Sequence, residues 1–380
     1  MPTWPTMTPR RDSPDADGAA AGTSHADRLA DWFRRFAEVE CPDLPLYRAL
    51  CLIVAEHPGL LSVVLDARPG QWRPNILLAA VHLLVRRDPD ARLAAYFPTA
   101  SSTPRPPDDA LASALAEFIE RHADEIAELV STRSTQTNEV NRSCLWFVAW
   151  HEEQRAANAQ LAVIEVGASA GLNLMVERYS YDFGDGLLRG DRASSVRLGC
   201  ALSGVRDLPA DAPQPVWRLG IDREPIDLAD ADKRDWLQAC IWPEQPERHA
   251  RYVAAAASAL EVAPPMIQGD AVGSISAAAA AAPDDAHLVI VTSWVLTYLR
   301  RDDRVALRAA LDAIGERRDL TWLSAEGAGV VPGLRTVDAW RNDTLVHRVR
   351  WRGGHVDEQL VARCHPHLRW LEWLDGSPPA

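Results

Sequence analysis

The chain almost lacks lysine: of its 40 Lys and Arg residues only Lys233 is a lysine. That bias reads as a matter of genome composition and marks no site. No run of about 18 uncharged apolar residues appears, which leaves no candidate membrane-spanning helix. The first 28 residues contain Pro, Asp, Ala and Gly without an apolar core, so a secretory signal is not expected there. Cysteines are few. Cys41, Cys51, Cys144, Cys200, Cys240 and Cys364 are widely scattered, with no CxxC pair and no zinc spacing. Buried free thiols in a reducing cytoplasm are the expectation, and no metal site. Basic charge is also in deficit. The net charge of −13 speaks against a polyanionic partner such as nucleic acid. The G-x-G-x-x-G fingerprint is missing, which disfavours a dinucleotide dehydrogenase.

What is present suffices for a globular protein of one large or two ordinary domains: 380 residues, 47% hydrophobic and 24% charged. Residues 1–27 read as a disordered tail. From 28 to 130 nearly every segment has helical spacing, at Ala30–Ala37, Leu46–Ala55, Pro74–Arg86 and Asp109–Leu129, with a Ser/Thr/Pro-rich loop over 101–108. Residues 131–380 form the second part, starting with an aromatic-rich helix over Leu145–Trp150. After Leu161 short apolar strands alternate with helices, the pattern of a parallel sheet. The spacing predicts strands at Leu161–Glu165, Val216–Ile221, Pro265–Gln268, His287–Thr292 and Leu320–Ser324. Helices are predicted at Leu172–Tyr179, Arg234–Cys240, Glu247–Glu261 and Asp302–Arg317, and the alanine run 277–282 reads as helix filler. An insertion over 180–215 is expected to loop out. Near the end, Thr344–Trp351 and His355–Leu360 flank Gly353-Gly354, which suggests an antiparallel hairpin at the sheet edge.

The most informative stretch is Leu161-Ala-Val-Ile-Glu-Val-Gly-Ala-Ser-Ala-Gly-Leu-Asn-Leu174. An apolar strand ends at Glu165, and a turn of small residues (Gly167, Ala168, Ser169, Ala170, Gly171) leads into the predicted helix. Such a layout brings backbone N–H groups and a helix N-terminus to a ligand. Ligands of open α/β sheets lie beyond the carboxyl ends of the strands, so the residues after each strand matter most. The second strand ends in Gly220-Ile-Asp222, a carboxylate suited to the paired hydroxyls of a ribose. The third ends in Gly269-Asp270-Ala271, a carboxylate suited to an adenine amino group. The fourth ends in Thr292-Ser293-Trp294. A phosphate is not implied, because Glu165 would repel it.

This order of motifs resembles the class I S-adenosylmethionine-dependent methyltransferases, including the terminal hairpin. More closely, residues 28 to 375 resemble a bacterial family known as domain of unknown function 2332. The matching features are Gln136-Thr-Asn-Glu139-x-x-Arg142, Glu165 to Asn173, Gly220-Ile-Asp222 with Pro225 and Asp227, Trp236-Leu237 with Ile241-Trp-Pro243, Arg248, Gly269-Asp270, His365-Pro-His367 and Trp370-Leu-Glu-Trp373. The resemblance implies a Rossmann-like α/β sheet with a C-terminal antiparallel hairpin, preceded by an all-helical region, and S-adenosylmethionine held in the cleft between the two parts.

Carried over by motif, Glu165 would accept from the amino group, and Gly167, Ala168, Ser169 and Gly171 would line the amino-acid and sugar portion. Asp222 would bind the ribose hydroxyls, with Asp182 as a nearer but less fitting acid. Asp270 and Ala271 would face the adenine, Thr292 and Ser293 the methionine part and the methyl group. Gln136, Asn138, Glu139, Arg142 and Trp294 would wall the substrate or cofactor. Glu326 is the candidate base and Tyr298 a second catalytic candidate. Bland alternatives stand beside these roles: Asp270 as a helix cap, Glu139 and Arg142 as a capped surface ion pair, Tyr298 and Trp294 as packing. Ser169 replaces the commoner glycine, and Asp222 stands further along than the usual spacing of about 20 residues. The acceptor is expected to be a small molecule or a protein group. Nucleobases are disfavoured by the absence of an Asn/Asp-Pro-Pro-Tyr/Phe segment, and no membrane partner is expected.

Two rivals remain at this stage. Gly167-Ala-Ser169-Ala-Gly171 is also a G-x-S-x-G elbow, and Ser169, Asp270 and His365 or His367 follow the chain order of a hydrolase triad. That elbow normally follows several strands, whereas the preceding 150 residues read as helical. The second rival binds the cofactor without turnover, as a sensor or scaffold.

Overall fold

The computed structural model describes residues 25–374 except 66, 69, 70, 72, 206, 332, 335, 338 and 339, with His25, Pro58 and Ser62 described through their backbone alone. The tail expected at 1–27 lies outside the described residues apart from its last three, which open the first helix. The chain forms two compact units, one from 25–137 with 230–250, the other from 138–229 with 251–374, within the described residues.

The helical unit begins with α1 (His25–Val39), α2 (Pro45–Glu56), α3 (Pro58–Leu65), α4 (Pro74–Arg87), α5 (Leu111–Arg121) and α6 (Ala123–Thr132). Proline opens α2 and α4, where its missing N–H costs nothing. Phe33, Leu50, Ile76, Leu83 and Phe118 meet in one core, each contributing about 1.5–3 kcal/mol of burial at this size of side chain. The single helix predicted over 109–129 is two helices. His122 breaks the ladder at φ −108°, ψ 23°, and Asp124 and Glu125 complement the dipole of a new N-terminus. The α3 segment escaped the sequence reading because Pro58-Gly-Leu-Leu-Ser-Val-Val-Leu65 has no polar face to give it a period.

The second unit holds α7 (Ser143–Ala157), β1 (Leu161–Val166), β2 (Ser180–Asp182), β3 (Leu188–Gly190), β4 (Arg197–Gly199), β5 (Ala201–Ser203) and β6 (Trp217–Asp222). Residues 230–250 then belong to the helical unit and supply α8 (Ala231–Ala239) and the start of α9 (Pro246–Glu261). The remainder is β7 (Met266–Gln268), α10 (Ala271–Ala281), β8 (His287–Ser293), α11 (Arg301–Gly315), β9 (Leu320–Gly327), β10 (Thr344–Arg352), β11 (His355–Cys364) and β12 (Trp370–Trp373).

Nine strands form one sheet in the order β5-β12-β11-β10-β9-β8-β1-β6-β7. From β7 to β9 neighbouring strands are parallel, and all six residues of β1 are buried, as a central parallel strand requires. The chain moves outward from β1 to β6 and β7, then returns to place β8 on the other side of β1. That reversal is the topological switch point, where such sheets take their ligands. Ile164, Ile290, Trp322, Ile275 and Leu311 fill the core under α10 and α11.

Three expectations are corrected. The segment 172–179 is two 3₁₀ turns, Leu172–Leu174 and Val176–Arg178, and not an α-helix. Its carbonyls are captured by side chains: Leu172 O accepts the Tyr179 hydroxyl at 2.6 Å, Leu174 O the Arg218 guanidinium at 2.6 Å, and Val176 O the Tyr181 hydroxyl at 2.7 Å. The insertion is not wholly looped out. β2, β3 and β4 make a separate three-stranded sheet, and β5 joins the main sheet beside β12. The hairpin of β10 and β11 turns at Gly353-Gly354, both at positive φ as a tight turn needs, but β12 and β5 lie outside it, so it is not the edge.

Candidate functional site

Beyond the carboxyl ends of β1 and β8, Arg142 is the charge around which the site is built. It is 7% exposed, ends a 3₁₀ turn over Val140–Arg142, and donates from Nη1 to the Ser293 carbonyl at 3.3 Å. Its positive charge is felt by two buried carboxyls. Glu165, at the end of β1, is pushed up to about 8 by burial, against the pull of Arg142 and with the help of Asp222. Its Oε2 has no hydrogen-bond partner among the described residues. Glu326, at the end of β9, is pushed up to about 7 by burial, against the N–H groups of Leu296 and Val295 and the charges of Arg142 and Arg304. Glu326 Oε1 accepts from Val295 N and Leu296 N, both at 3.1 Å, while Oε2 is buried without a partner among the described residues.

Glu326 therefore anchors the loop after β8. In that loop Trp294 takes φ +53°, a left-handed conformation uncommon for a bulky residue. Two bonds of its own hold it there, Trp294 N to Ala325 O at 3.1 Å and its indole N–H to Thr344 Oγ1 at 2.9 Å, and the Glu326 clamp fixes the two residues that follow. Thr292 faces the core, where its hydroxyl accepts the Trp322 indole N–H at 3.1 Å. Tyr298 closes the next 3₁₀ turn and is 57% exposed.

The small-residue turn after β1 is shaped by protein contacts. Gly167, Ser169 and Gly171 all have positive φ. A Cβ on Gly167 would come within 2.4 Å of Val295 Cγ2, and one on Gly171 within 2.6 Å of Pro264 Cγ. The glycines thus admit neighbouring side chains, with Ala168 buried among them. Asp222 ties this turn to β6: its Oδ2 accepts Ser169 N at 2.8 Å, and its Oδ1 accepts Glu224 N at 2.9 Å. Asp182 is engaged elsewhere, accepting Gly184 N at 2.8 Å. Asp270 is the N-cap of α10, accepting Val272 N and Gly273 N at 3.0 and 2.9 Å. The Gly273 N–H above all, then Val272 and the Arg223 charge, hold its carboxyl below the usual range. Ala271 is the first residue of that helix.

The Gln136-to-Arg142 segment is divided. Gln136 belongs to the helical unit, where its backbone N–H meets the Cys240 thiol. Asn138 is buried, and its Nδ2 has no partner among the described residues. Glu139 caps the 3₁₀ turn through Asn141 N at 3.2 Å, 3.5 Å from Arg251 Nη2 and 3.2 Å from His367 Nδ1. The structure adds Asn141, Arg251 and Leu368 to this neighbourhood. Asn141 Nδ2 donates to Leu368 O at 2.8 Å and Gly199 O at 2.9 Å. A polar residue repeated every second or third position was the one available signal for Asn141. Arg251 carried none.

Five of the six cysteines are buried, and all are free thiols. Among the described residues no single helix is long and apolar enough to cross a membrane. No curated protein and no solved structure matches the chain. Residues 30–373 match a family described as an uncharacterised protein conserved in bacteria. With that match running from α1 to β12, the chain belongs to the family of domain of unknown function 2332.

Proposed function

We propose that the protein binds S-adenosylmethionine beyond the ends of β1 and β8 and transfers its methyl group to a small-molecule or protein acceptor. One observation carries this reading. Glu165 is a buried carboxyl whose Oε2 has no partner among the described residues, within the field of the buried Arg142 guanidinium. A buried carboxyl that an incoming ammonium would ionise, in the field of a guanidinium cation, fits the ammonium and carboxylate of an amino-acid moiety. The order of the parallel strands supports the same placement, and Asp222 stands at the end of β6, where a ribose would be bound.

When bound, S-adenosylmethionine supplies a methyl carbon activated by its sulfonium. The residues of the chain bind and orient. Glu165 would hold the ammonium, Arg142 the carboxylate, and Asp222 the ribose hydroxyls through lone pairs left after its two backbone bonds. Ser293 and Trp294, fixed by Glu326, would border the methionine end. The Gly167–Gly171 turn would contribute backbone rather than an open cradle, since Val295 and Pro264 occupy the space beside its glycines. A reducing cytoplasmic setting agrees with free thiols.

Calorimetric titration of S-adenosylmethionine and S-adenosylhomocysteine into wild type and Glu165→Gln tests the reading. Saturable binding to wild type, weakened at least about tenfold by the substitution, a loss of about 1.4 kcal/mol, is expected. Folded wild type that binds neither compound overturns it.

A further inference from the structure

We propose that Asn173 binds the carboxylate of the methionine moiety beside Arg142, and that Ser143 fixes which edge of its amide faces the ligand. This rests on the methyltransferase reading. Asn173 is 7% exposed. Its Oδ1 accepts the Ser143 hydroxyl at 2.9 Å, a bond between two buried side chains. Nδ2, the donor end of the amide, has no partner among the described residues. A donor on a residue so nearly buried has little water to turn to, and an anionic acceptor satisfies it best.

The chain places this amide through its departure from an α-helix after β1. Gly171 takes φ +70°, and Leu172–Leu174 form a 3₁₀ turn with Asn173 in the middle. The neighbours of Asn173 are pinned from a distance: Leu172 O accepts the Tyr179 hydroxyl and Leu174 O the Arg218 guanidinium, both at 2.6 Å. Arg218 is itself held by Glu177 at 2.7 Å. The turn packs against the 3₁₀ turn over Val140–Arg142. Ser143, the partner of Asn173, follows Arg142 directly and opens α7. One peptide link therefore joins the residue that orients the amide to the guanidinium whose charge reaches Glu165.

A carboxylate brings two oxygens with about four lone-pair sites to satisfy. Arg142 Nη1 already gives an N–H to the Ser293 carbonyl, and a second, neutral donor serves the carboxylate without adding charge. Glu165 does not take that donor, since its Oε2 has no partner among the described residues. The edge of the amide matters. The Ser143 hydroxyl donates to Oδ1, which keeps Nδ2 on the opposite edge. Turned over, the amide would offer the ligand's carboxylate an oxygen and repel it. The two ends of an amino acid are then read by opposite chemistry: the ammonium by the acceptor Glu165, the carboxylate by the donors Arg142 and Asn173. Such a site selects a zwitterionic amino-acid end and discriminates against an adenosine thioether that lacks one.

The test is calorimetric titration of S-adenosylhomocysteine and methylthioadenosine, which shares the adenosine and thioether but lacks the amino-acid end. Both go into the full chain as wild type, Asn173→Ala, Asn173→Asp and Ser143→Ala. Wild type should bind S-adenosylhomocysteine at least about tenfold more tightly than methylthioadenosine. Asn173→Ala should weaken S-adenosylhomocysteine by about tenfold, the worth of one hydrogen bond to a charged group. Asn173→Asp should weaken it further, since two carboxylates then meet, and Ser143→Ala should lose part of the same affinity. Methylthioadenosine should bind all four proteins alike. Variants that weaken both compounds together have a structural role only, which overturns the proposal. So does Asn173→Asp binding S-adenosylhomocysteine as tightly as wild type, while full affinity in Ser143→Ala overturns the orienting role. Wild type alone gives a second readout, nitrogen–proton NMR with asparagine selectively labelled. The side-chain amide protons of Asn173 should shift with S-adenosylhomocysteine and stay in place with methylthioadenosine. Protons unmoved by S-adenosylhomocysteine overturn the assignment however the variants fold. Wild type that binds neither compound overturns the cofactor reading and this one with it. Binding of S-adenosylhomocysteine that ignores Asn173 overturns the carboxylate role alone.

Discussion

Asp222 accepts the backbone N–H of Ser169 at 2.8 Å, so the end of β6 holds the turn that follows β1. The same carboxylate caps its own loop through Glu224 N at 2.9 Å. A ribose acid in this protein would thus also be a structural staple. Asp222→Ala leaves two backbone donors without their acceptor and is expected to cost about 1–3 kcal/mol in denaturant unfolding. Asp222→Asn keeps one oxygen and should recover part of that stability. If cofactor binding falls with Asp222→Asn by more than stability does, the carboxylate serves the ligand as well as the turn.

Gly167 is demanded by its neighbour Val295 and by its own backbone. At φ +76° a side chain costs about 1–2 kcal/mol of conformational strain, and the new Cβ would lie 2.4 Å from Val295 Cγ2. Gly167→Ala should therefore destabilise by more than the strain alone. Adding Val295→Ala should return the steric part and leave the strain, giving a favourable coupling in a double-mutant cycle. Purely additive losses would show that Val295 is not what fills the space.

The strands of this fold were legible because they are short apolar runs between turn signals: His287–Ser293 and Leu320–Gly327 fall within a few residues of their expected places. What stayed hidden depends on partners far along the chain. Nothing local says that the Tyr179 hydroxyl will take the Leu172 carbonyl, or that Arg218 will take Leu174, and these captures replace the expected helix with 3₁₀ turns. The same holds for β5, whose partner β12 is the last strand of the chain. At the candidate site, Glu165 and Asp222 could be picked out as acids at strand ends. Their bonds could not. Asp270, read as an acid facing the adenine, also caps α10 through its Oδ1, a bond that depends on the helix after it.

Glu326 offers a separation of shape from charge. Its Oε1 accepts two N–H groups of the loop that carries Trp294, so Glu326→Gln keeps an acceptor there and should change stability by less than about 1 kcal/mol. Glu326→Ala strands both donors in a buried place and should cost about 2–4 kcal/mol. Trp294 fluorescence should shift in the alanine variant alone, because only there is its left-handed turn released. A glutamine variant as damaged as the alanine variant would show that the charge, not the clamp, matters.

Glu165 should give the protein an inverted response to pH. The unfolded chain loses this proton near the ordinary glutamate value of 4.5, while the folded chain keeps it until about 8. Between those values the native state binds the extra proton, so the contribution of Glu165 is fully present below about 4.5 and is lost as pH rises towards 8. Wild type minus Glu165→Gln should therefore show stability falling with rising pH, by at most about 1.4 kcal/mol per unit, although other carboxylates push the total the opposite way at acid pH. Cofactor binding should reverse the preference, because an ammonium beside Glu165 favours its ionised form. Calorimetry near neutral pH in two buffers of different ionisation enthalpy should then record a proton released on binding by wild type and little or none by Glu165→Gln. Equal heats in both buffers for wild type would remove Glu165 from the amino-acid receptor and leave Arg142 and Asn173 to hold that end.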